Sequence, residues 1–439
     1  MTARKVAAAV LTKAERGRGF IDNVLDLALS KSQLSPRDRR FAWEMTYGVV
    51  RLKKRLDYVI DQFSDNRKIR LGTRIVLRMG VYQILFMKVP DYASVNESVG
   101  LVHAEERRER AFVNGLLRRV VREADQLRYP DPGEDPVGHL STFYSHPEWM
   151  IRRWLGRYGY EETESLCRAN NVIPGLSVRA NQLRTSPEEL GEELRREGVA
   201  CVRGKYIEYV MHLRGEPVTH MRAFKEGLFQ VQDESAVLIG ELFRPKPGEI
   251  IVDMCASPGG KCTHLAELTG DRGTIVAVDV SVKRLKPLRQ NVKRLGIRSI
   301  LPVVSDGTSF QVKKCDGILL DVPCSGSGTL RRRPDLRWRM NEGEIRALST
   351  LQLRLLENAA SLLQVGGRLV YSTCSIEPEE NEEVVRRFLS SRQDFVLDPI
   401  PDRFAKELVR DGHYLGTLPH VHGTDGIFAC TLRKKKTWG

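Results

Sequence analysis

From residue 226 to the C-terminus, short apolar runs alternate with segments of helical length, and few folds accommodate that arrangement. The runs are Ile250 to Met254, Thr274 to Val280, Leu301 to Val304, Gly317 to Val322, Arg368 to Ser372 and Ile427 to Leu432. A strand covered on both faces reads as a nearly continuous apolar run, and a helix between two such strands returns the chain for parallel pairing. The pattern predicts an α/β domain over 226–439 with a mostly parallel, doubly wound sheet. Ligands in such sheets bind beyond the carboxyl ends of the strands, so the residues following each run are the candidates for chemistry.

The chain has 439 residues, enough for about three domains. Residues 1–130 carry helical signals. Ser35-Pro36-Arg37-Asp38 reads as an N-cap with proline at the first helical position, and Ser94-Val95-Asn96-Glu97 as a capping box. Phe41, Met45, Val49, Leu52, Leu56 and Ile60 recur at helical steps. An all-α bundle of five to seven helices is expected. It holds 26 basic against 15 acidic side chains, so most of the chain's formal net charge of +14 lies there. That concentration points to an anionic partner such as RNA, the alternative being a basic solubilising bundle. Residues 131–144, opening on a Pro- and Gly-rich stretch, read as a linker, and 145–225 as a small α+β module with a helix at Ser186 to Arg196.

No apolar stretch is long enough to cross a membrane, and Lys13, Glu15 and Arg16 interrupt the run from Val6 to Leu11 before a secretory core can form. A cytoplasmic protein is expected. Its eight cysteines form no Cys-x-x-Cys pair and no zinc site, so reduced thiols and no metal are expected.

The strand ends carry an ordered set of polar groups. After the first run come Cys255, Ala256, Ser257, Pro258, Gly259, Gly260 and Lys261, where a glycine pair lets backbone pass close to a ligand at a helix N-terminus. Asp279 ends the second run, 20 residues after Gly259, the spacing of an acidic group that takes ribose hydroxyls. Asp306 follows the third; a lone Asp in such a place also serves as a helix cap. The fourth ends in Asp321-Val322-Pro323-Cys324-Ser325-Gly326-Ser327-Gly328 and the fifth in Tyr371-Ser372-Thr373-Cys374-Ser375, which sets two thiols beside one carboxylate. Downstream of Cys324, Arg331, Arg332, Arg333, Arg337 and Trp338 offer phosphate-binding and base-stacking groups, the alternative being a solvated loop. Lys434-Lys435-Lys436 reads as a frayed basic tail.

Asp253 to Lys261, Asp321 to Gly328 and Tyr371 to Ser375 resemble the cofactor, Pro-Cys and Thr-Cys motifs of the RNA cytosine-5 methyltransferases of the RsmB/NOP family, the Sun/Nop2 superfamily. Phe112 to Arg119 resembles part of a NusB-like RNA-binding bundle, and the resemblance, which includes His146 to Trp149 and Gln232 to Ser235, spans nearly the whole chain. Ser257 departs from the alanine usual there. The resemblance implies three parts: a NusB-like domain, a small RRM-like α+β module, and a C-terminal α/β Rossmann-like class I methyltransferase domain. It also implies S-adenosyl-L-methionine as methyl donor, bound by Cys255 to Lys261, Asp279, Asp306 and Asp321.

By the same resemblance Cys374 attacks cytosine C6, Asp321 supports the ring, and Cys324 assists release of the product. The implied substrate is 16S rRNA, protein-free or partly assembled, at a hairpin cytosine near the ribosomal P site, with the enzyme monomeric. The same chemistry on tRNA or another rRNA is one alternative. A non-catalytic RNA-binding assembly factor is another.

Overall fold

The computed structural model describes residues 2–65, 67–214 and 218–435, which form two compact units. The first comprises Met1–Val172 with Arg333–Arg339. Its helices are α1 (Ala3–Glu15), α2 (Ile21–Ser30), α3 (Pro36–Arg51), α4 (Lys53–Phe63), α5 (Leu71–Phe86), α6 (Asp91–Val99), α7 (Arg107–Glu123), α8 (Pro136–Phe143) and α9 (Glu148–Asn171). Helix α3 starts as its sequence predicts: the Ser35 side chain accepts the Asp38 N–H, and Pro36 needs no partner for a missing amide. The expected apolar stripe is split by Leu52, where α3 hands over to α4. Met45, Val49, Leu56 and Ile60 are buried together in one core with Val113, Leu117 and Val120 of α7.

Two local expectations are corrected. Ser94 is no N-cap: α6 already begins at Asp91, after extended Pro90, and the Ser94 hydroxyl turns back onto the Pro90 carbonyl at 3.3 Å. The stretch 131–144 is no linker throughout. Asp135 accepts the Gly138 N–H, Pro136 takes the first helical position, and α8 follows with Leu140 fully buried. Proline next to a capping Asp starts a helix as readily as it marks a loop. Helix α9 also belongs to this compact unit, and the first strand of the α+β module begins at Leu176.

The second unit comprises Ile173–Arg332 and Met340–Gly439. It opens with β1 (Leu176–Ala180), α10 (Pro187–Arg196), β2 (Ala200–Arg203), β3 (Val210–Arg214), α11 (Arg222–Lys225) and β4 (Phe229–Val231). These strands pair antiparallel in the order β2-β3-β1-β4. Helix α10 is fixed by a full capping box between Ser186 and Glu189 and lays Leu190 and Leu194 against Val178 and Phe229.

Next come α12 (Glu234–Phe243), β5 (Ile250–Asp253), α13 (Gly260–Leu268), β6 (Thr274–Asp279), α14 (Val282–Leu295), β7 (Ile300–Val304) and β8 (Cys315–Asp321). The chain ends with α15 (Glu342–Leu362), β9 (Leu363–Thr373), α16 (Glu382–Ser391), β10 (Phe395–Leu397), β11 (Val409–Arg410), β12 (Tyr414–Thr417), α17 (Pro419–His422) and β13 (Ile427–Lys434). One nine-stranded sheet results, in the order β11-β12-β13-β9-β8-β5-β6-β7, with β10 beside β13. Strands β9, β8, β5, β6 and β7 run parallel, and β10 to β13 pair antiparallel at one edge. The order reverses at β5, so chain leaving β5 toward β6 and chain leaving β8 toward β9 diverge from one rim, which opens a crevice there. Among the described residues no helix is long and apolar enough to cross a membrane.

Candidate active site at the strand ends

Strand β5 delivers Asp253 to the rim, buried to 1% exposure, with neither carboxyl oxygen hydrogen-bonded. Burial, and then the charge of Asp321, push its pKa up to about 7. The turn beyond it ends at Gly259, whose φ of 103° lies in the left-handed region and where a Cβ would press on Leu288 at 3.0 Å. Only glycine meets both demands, and α13 starts directly after it with its first amides facing the rim. The Ser257 hydroxyl in this turn is buried and unpartnered.

Asp279, at the end of β6, accepts the Ser257 N–H at 3.4 Å and lies 3.4 Å from Arg284. Asp306 lies exposed after β7, where it accepts the Thr308 N–H and hydroxyl, both at 2.8 Å; the Thr308 amide is the main reason its pKa falls below the usual carboxylate range. No helix follows Asp306, so it closes a turn on Thr308 rather than capping a helix.

Strand β8 carries Asp321 and, three residues on, Cys324; β9 carries Ser372 and, two residues on, Cys374. The Lys261 ammonium donates to one Asp321 oxygen at 2.7 Å and the Ser372 hydroxyl to the other at 2.9 Å. Burial alone would drag the lysine down, but Asp321 and the Cys374 sulfur outweigh it, and Lys261 stays above its ordinary value. The sulfurs of Cys324 and Cys374 are 3.2 Å apart. The hydrogen bond with Cys374 and then burial raise the Cys324 thiol well above its usual range.

No α-helix starts directly after the Cys374 loop. Residues 378–380 form a 3₁₀ turn, α16 starts at Glu382, and the N–H groups of Ser375, Ile376 and Glu377 are taken by the hydroxyls of Thr373, Ser327 and Ser375.

Residues not anticipated from sequence surround the two thiol loops. Glu380, fully buried, accepts from the Ser325 N–H, from the hydroxyls of Ser325 and Ser375, and from Gln352. The available signal was a serine after each cysteine, since two buried hydroxyls need a common acceptor. Gly328 packs against the chain at Gly426, where a Cβ would fall 2.1 Å from a carbonyl oxygen, and its N–H reaches the Cys374 carbonyl at 3.0 Å. Arg179, on β1, is also fully buried: it pairs with Glu267 of α13 at 2.7 and 3.0 Å and donates to the Gly260 carbonyl at 2.9 Å, which fastens the small sheet to the glycine turn.

The five side chains expected to meet RNA are used differently. Arg331 and Arg332 both pair with Asp425, at 2.6 and 2.8 Å, and Arg332 also with Asp233, the cap of α12, at 2.7 Å. Arg337 has no exposed surface; its guanidinium donates to the Ser145 and Asn170 carbonyls and the Asn171 side chain, and burial pushes it down to about 9. The Trp338 indole donates to the Val50 carbonyl at 2.7 Å. Arg333 lies over Phe20, 44% of its side chain exposed, and of the five is the most open to solvent. Type and spacing in the sequence do not reveal whether a guanidinium meets phosphates or carbonyls. Of the basic tail, Lys434 donates to the Ala360 and Leu363 carbonyls, and Lys436 lies outside the described residues.

Residues 241–433 match the 16S rRNA methyltransferase RsmB/F family, residues 1–122 the NusB family, and residues 146–219 the ferredoxin-like domain of RsmF/B-like methyltransferases. A probable ribosomal RNA small subunit methyltransferase B from Bacillus subtilis is 34% identical over 98% of each chain. Its counterpart from Synechocystis sp. is 38% identical over 99% of this chain and 100% of the other. The crystal structure of PH0851 superposes with a TM-score of 0.82 at 31% identity, covering 98% of each chain.

Proposed function

The chain belongs to the RsmB/F family of ribosomal small-subunit RNA methyltransferases, and we propose that it transfers a methyl group from S-adenosylmethionine to C5 of a cytosine in 16S rRNA. The observation that carries this reading is the Cys324–Cys374 pair, 3.2 Å apart beside the Lys261–Asp321 pair. The donor fits the rim: Asp253 and the Ser257 hydroxyl are buried and unpartnered, and the glycine turn leaves backbone within reach of a ligand. Cys255 to Lys261, Asp279, Asp306 and Asp321 are the residues to hold it. When bound, it supplies an electrophilic sulfonium methyl group.

Cytosine C5 is a weak nucleophile, so the Cys374 thiolate first adds to C6, which makes C5 enamine-like. Asp321, oriented by Lys261 and Ser372, accepts a hydrogen bond from the exocyclic amine and shares a proton with N3, which takes it up as charge builds on the ring. After methyl transfer, C5 must lose its proton before the Cys374–C6 bond breaks. With Cys374 engaged in the adduct, Cys324 gives its own proton to solvent and, as the thiolate, takes the C5 proton. The bonding pair of C5–H then closes the ring double bond and the C6–S pair returns to Cys374. The target base leaves its stack to reach this site. The reading extends to a hairpin cytosine near the ribosomal P site, in protein-free or partly assembled RNA, acted on by a cytoplasmic monomer.

The test is transfer of labelled methyl from S-adenosylmethionine to protein-free 16S rRNA and, separately, to bulk tRNA, followed by nucleoside analysis. Five-methylcytidine in 16S rRNA alone is expected. Label in tRNA alone would replace the substrate, and label in neither would favour a non-catalytic assembly role.

A further inference from the structure

Cys324 and Cys374 lie beyond the last pair of the β8–β9 ladder, Asp321 with Ser372. Their separation is therefore not set by the sheet. Resting on the reading above, one thiol serves C6 and the other the proton on adjacent C5, so their spacing has to survive while one is covalently engaged.

We propose that Glu380 is a positioning residue that fixes the spacing of the two thiols, its carboxylate holding Ser325, next to Cys324, and Ser375, next to Cys374. One oxygen accepts the Ser325 N–H at 2.8 Å and the Gln352 amide at 3.1 Å; the other accepts both serine hydroxyls. The hydroxyls lie 3.1 Å from each other, and Ser327 adds a third at 3.2 Å from Ser375. Such a cluster needs an acceptor-only group, which a carboxylate is and an amide is not.

Glu380 is itself held in place. Its carbonyl accepts the Tyr371 hydroxyl at 2.6 Å, and Gln352 also donates to the carbonyl of Pro323, the residue before Cys324, at 2.9 Å. Glu380, Ser325, Ser375 and Gln352 are all at most 2% exposed, so water does not substitute for a broken bond. Glu380 holds the serines beside the thiols, and its charge also adds to the rise at Cys324.

Glu380→Gln tests this with two readouts. In the protein without RNA, the azo oxidant diamide takes two electrons and two protons from the thiol pair and leaves a Cys324–Cys374 disulfide. The sulfurs need close only from 3.2 Å to about 2.0 Å. The expected rate of that closure in Glu380→Gln is about tenfold or more below the parent, as misplacement of reacting groups implies.

With 16S rRNA, single-turnover methylation falls less than product release, so methylated RNA accumulates on Cys374 through denaturing electrophoresis while cofactor affinity is unchanged. A parental disulfide rate together with parental release overturns the proposal, as does an equal loss of methylation and release with a parental disulfide rate. Should Glu380→Gln fail to fold, Ser375→Ala, which removes one strut, is read in the same way. The disulfide rate needs no substrate, so absence of five-methylcytidine from the parent protein would overturn the proposed function while leaving Glu380's role separately measurable.

Discussion

Each side chain at the rim has a separable consequence. Cys374→Ala is expected to abolish methylation while S-adenosylmethionine still binds, as measured by calorimetry; full activity would remove its role as nucleophile. Cys324→Ala is expected to trap an RNA adduct stable to denaturing electrophoresis, and its absence with active cofactor and correct RNA would remove the release role. Asp253 makes a prediction in pH. Its carboxyl is raised from an ordinary value of 3.8 to about 7, so the folded protein holds that proton more tightly than the unfolded chain. The associated stability is fully present below about pH 4 and is lost as pH rises through about 7, a change of about 4 kcal/mol. Denaturant unfolding of the ligand-free protein at pH 5 and pH 8 checks this: Asp253→Asn should lack the decline that the parent shows.

At the scale of elements, the strand ends were legible because apolar runs and the polar residues closing them are local in sequence, and β5, β6, β8 and β9 end within one residue of those runs. Helix α8 was misread because Pro and Asp serve helix starts and loops alike. The anchoring of β1 on α13 could not be read at all, since Arg179 and Glu267 are 88 residues apart. Removing one partner leaves a buried charge, so Glu267→Gln is expected to cost about 3 to 5 kcal/mol in urea unfolding. Arg179→Met combined with Glu267→Leu should cost less than Glu267→Gln alone. A double variant as unstable as the two single variants added together would show that the pair is not coupled.

For the whole molecule, the charge asymmetry sets how RNA is met. The basic excess of residues 1–130 includes Arg37, Arg107 and Arg108, all exposed. Changing these three to Glu is expected to weaken 16S rRNA binding and to flatten its dependence on salt, with the slope falling by about 0.7 for each phosphate no longer neutralised. Arg337→Met should leave that slope unchanged and lower the melting temperature, because this guanidinium is spent on the Ser145 and Asn170 carbonyls. A change of slope in Arg337→Met, followed by fluorescence anisotropy across a salt series, would return it to the RNA surface.

The sequence by itself determined the α/β alternation, the helical and basic N-terminal part, and the row of polar groups at the strand ends, because periodicity and strand termini are properties of neighbouring residues. Only the tertiary structure decided which of those groups meet. The 3.2 Å approach of Cys324 to Cys374, the Lys261–Asp321 pair and the Glu380 anchor join residues 50, 60 and 55 positions apart. The partners of Arg337 and Trp338 were decided there too: an arginine or tryptophan looks the same in sequence whether its N–H groups face nucleic acid or the protein's own carbonyls.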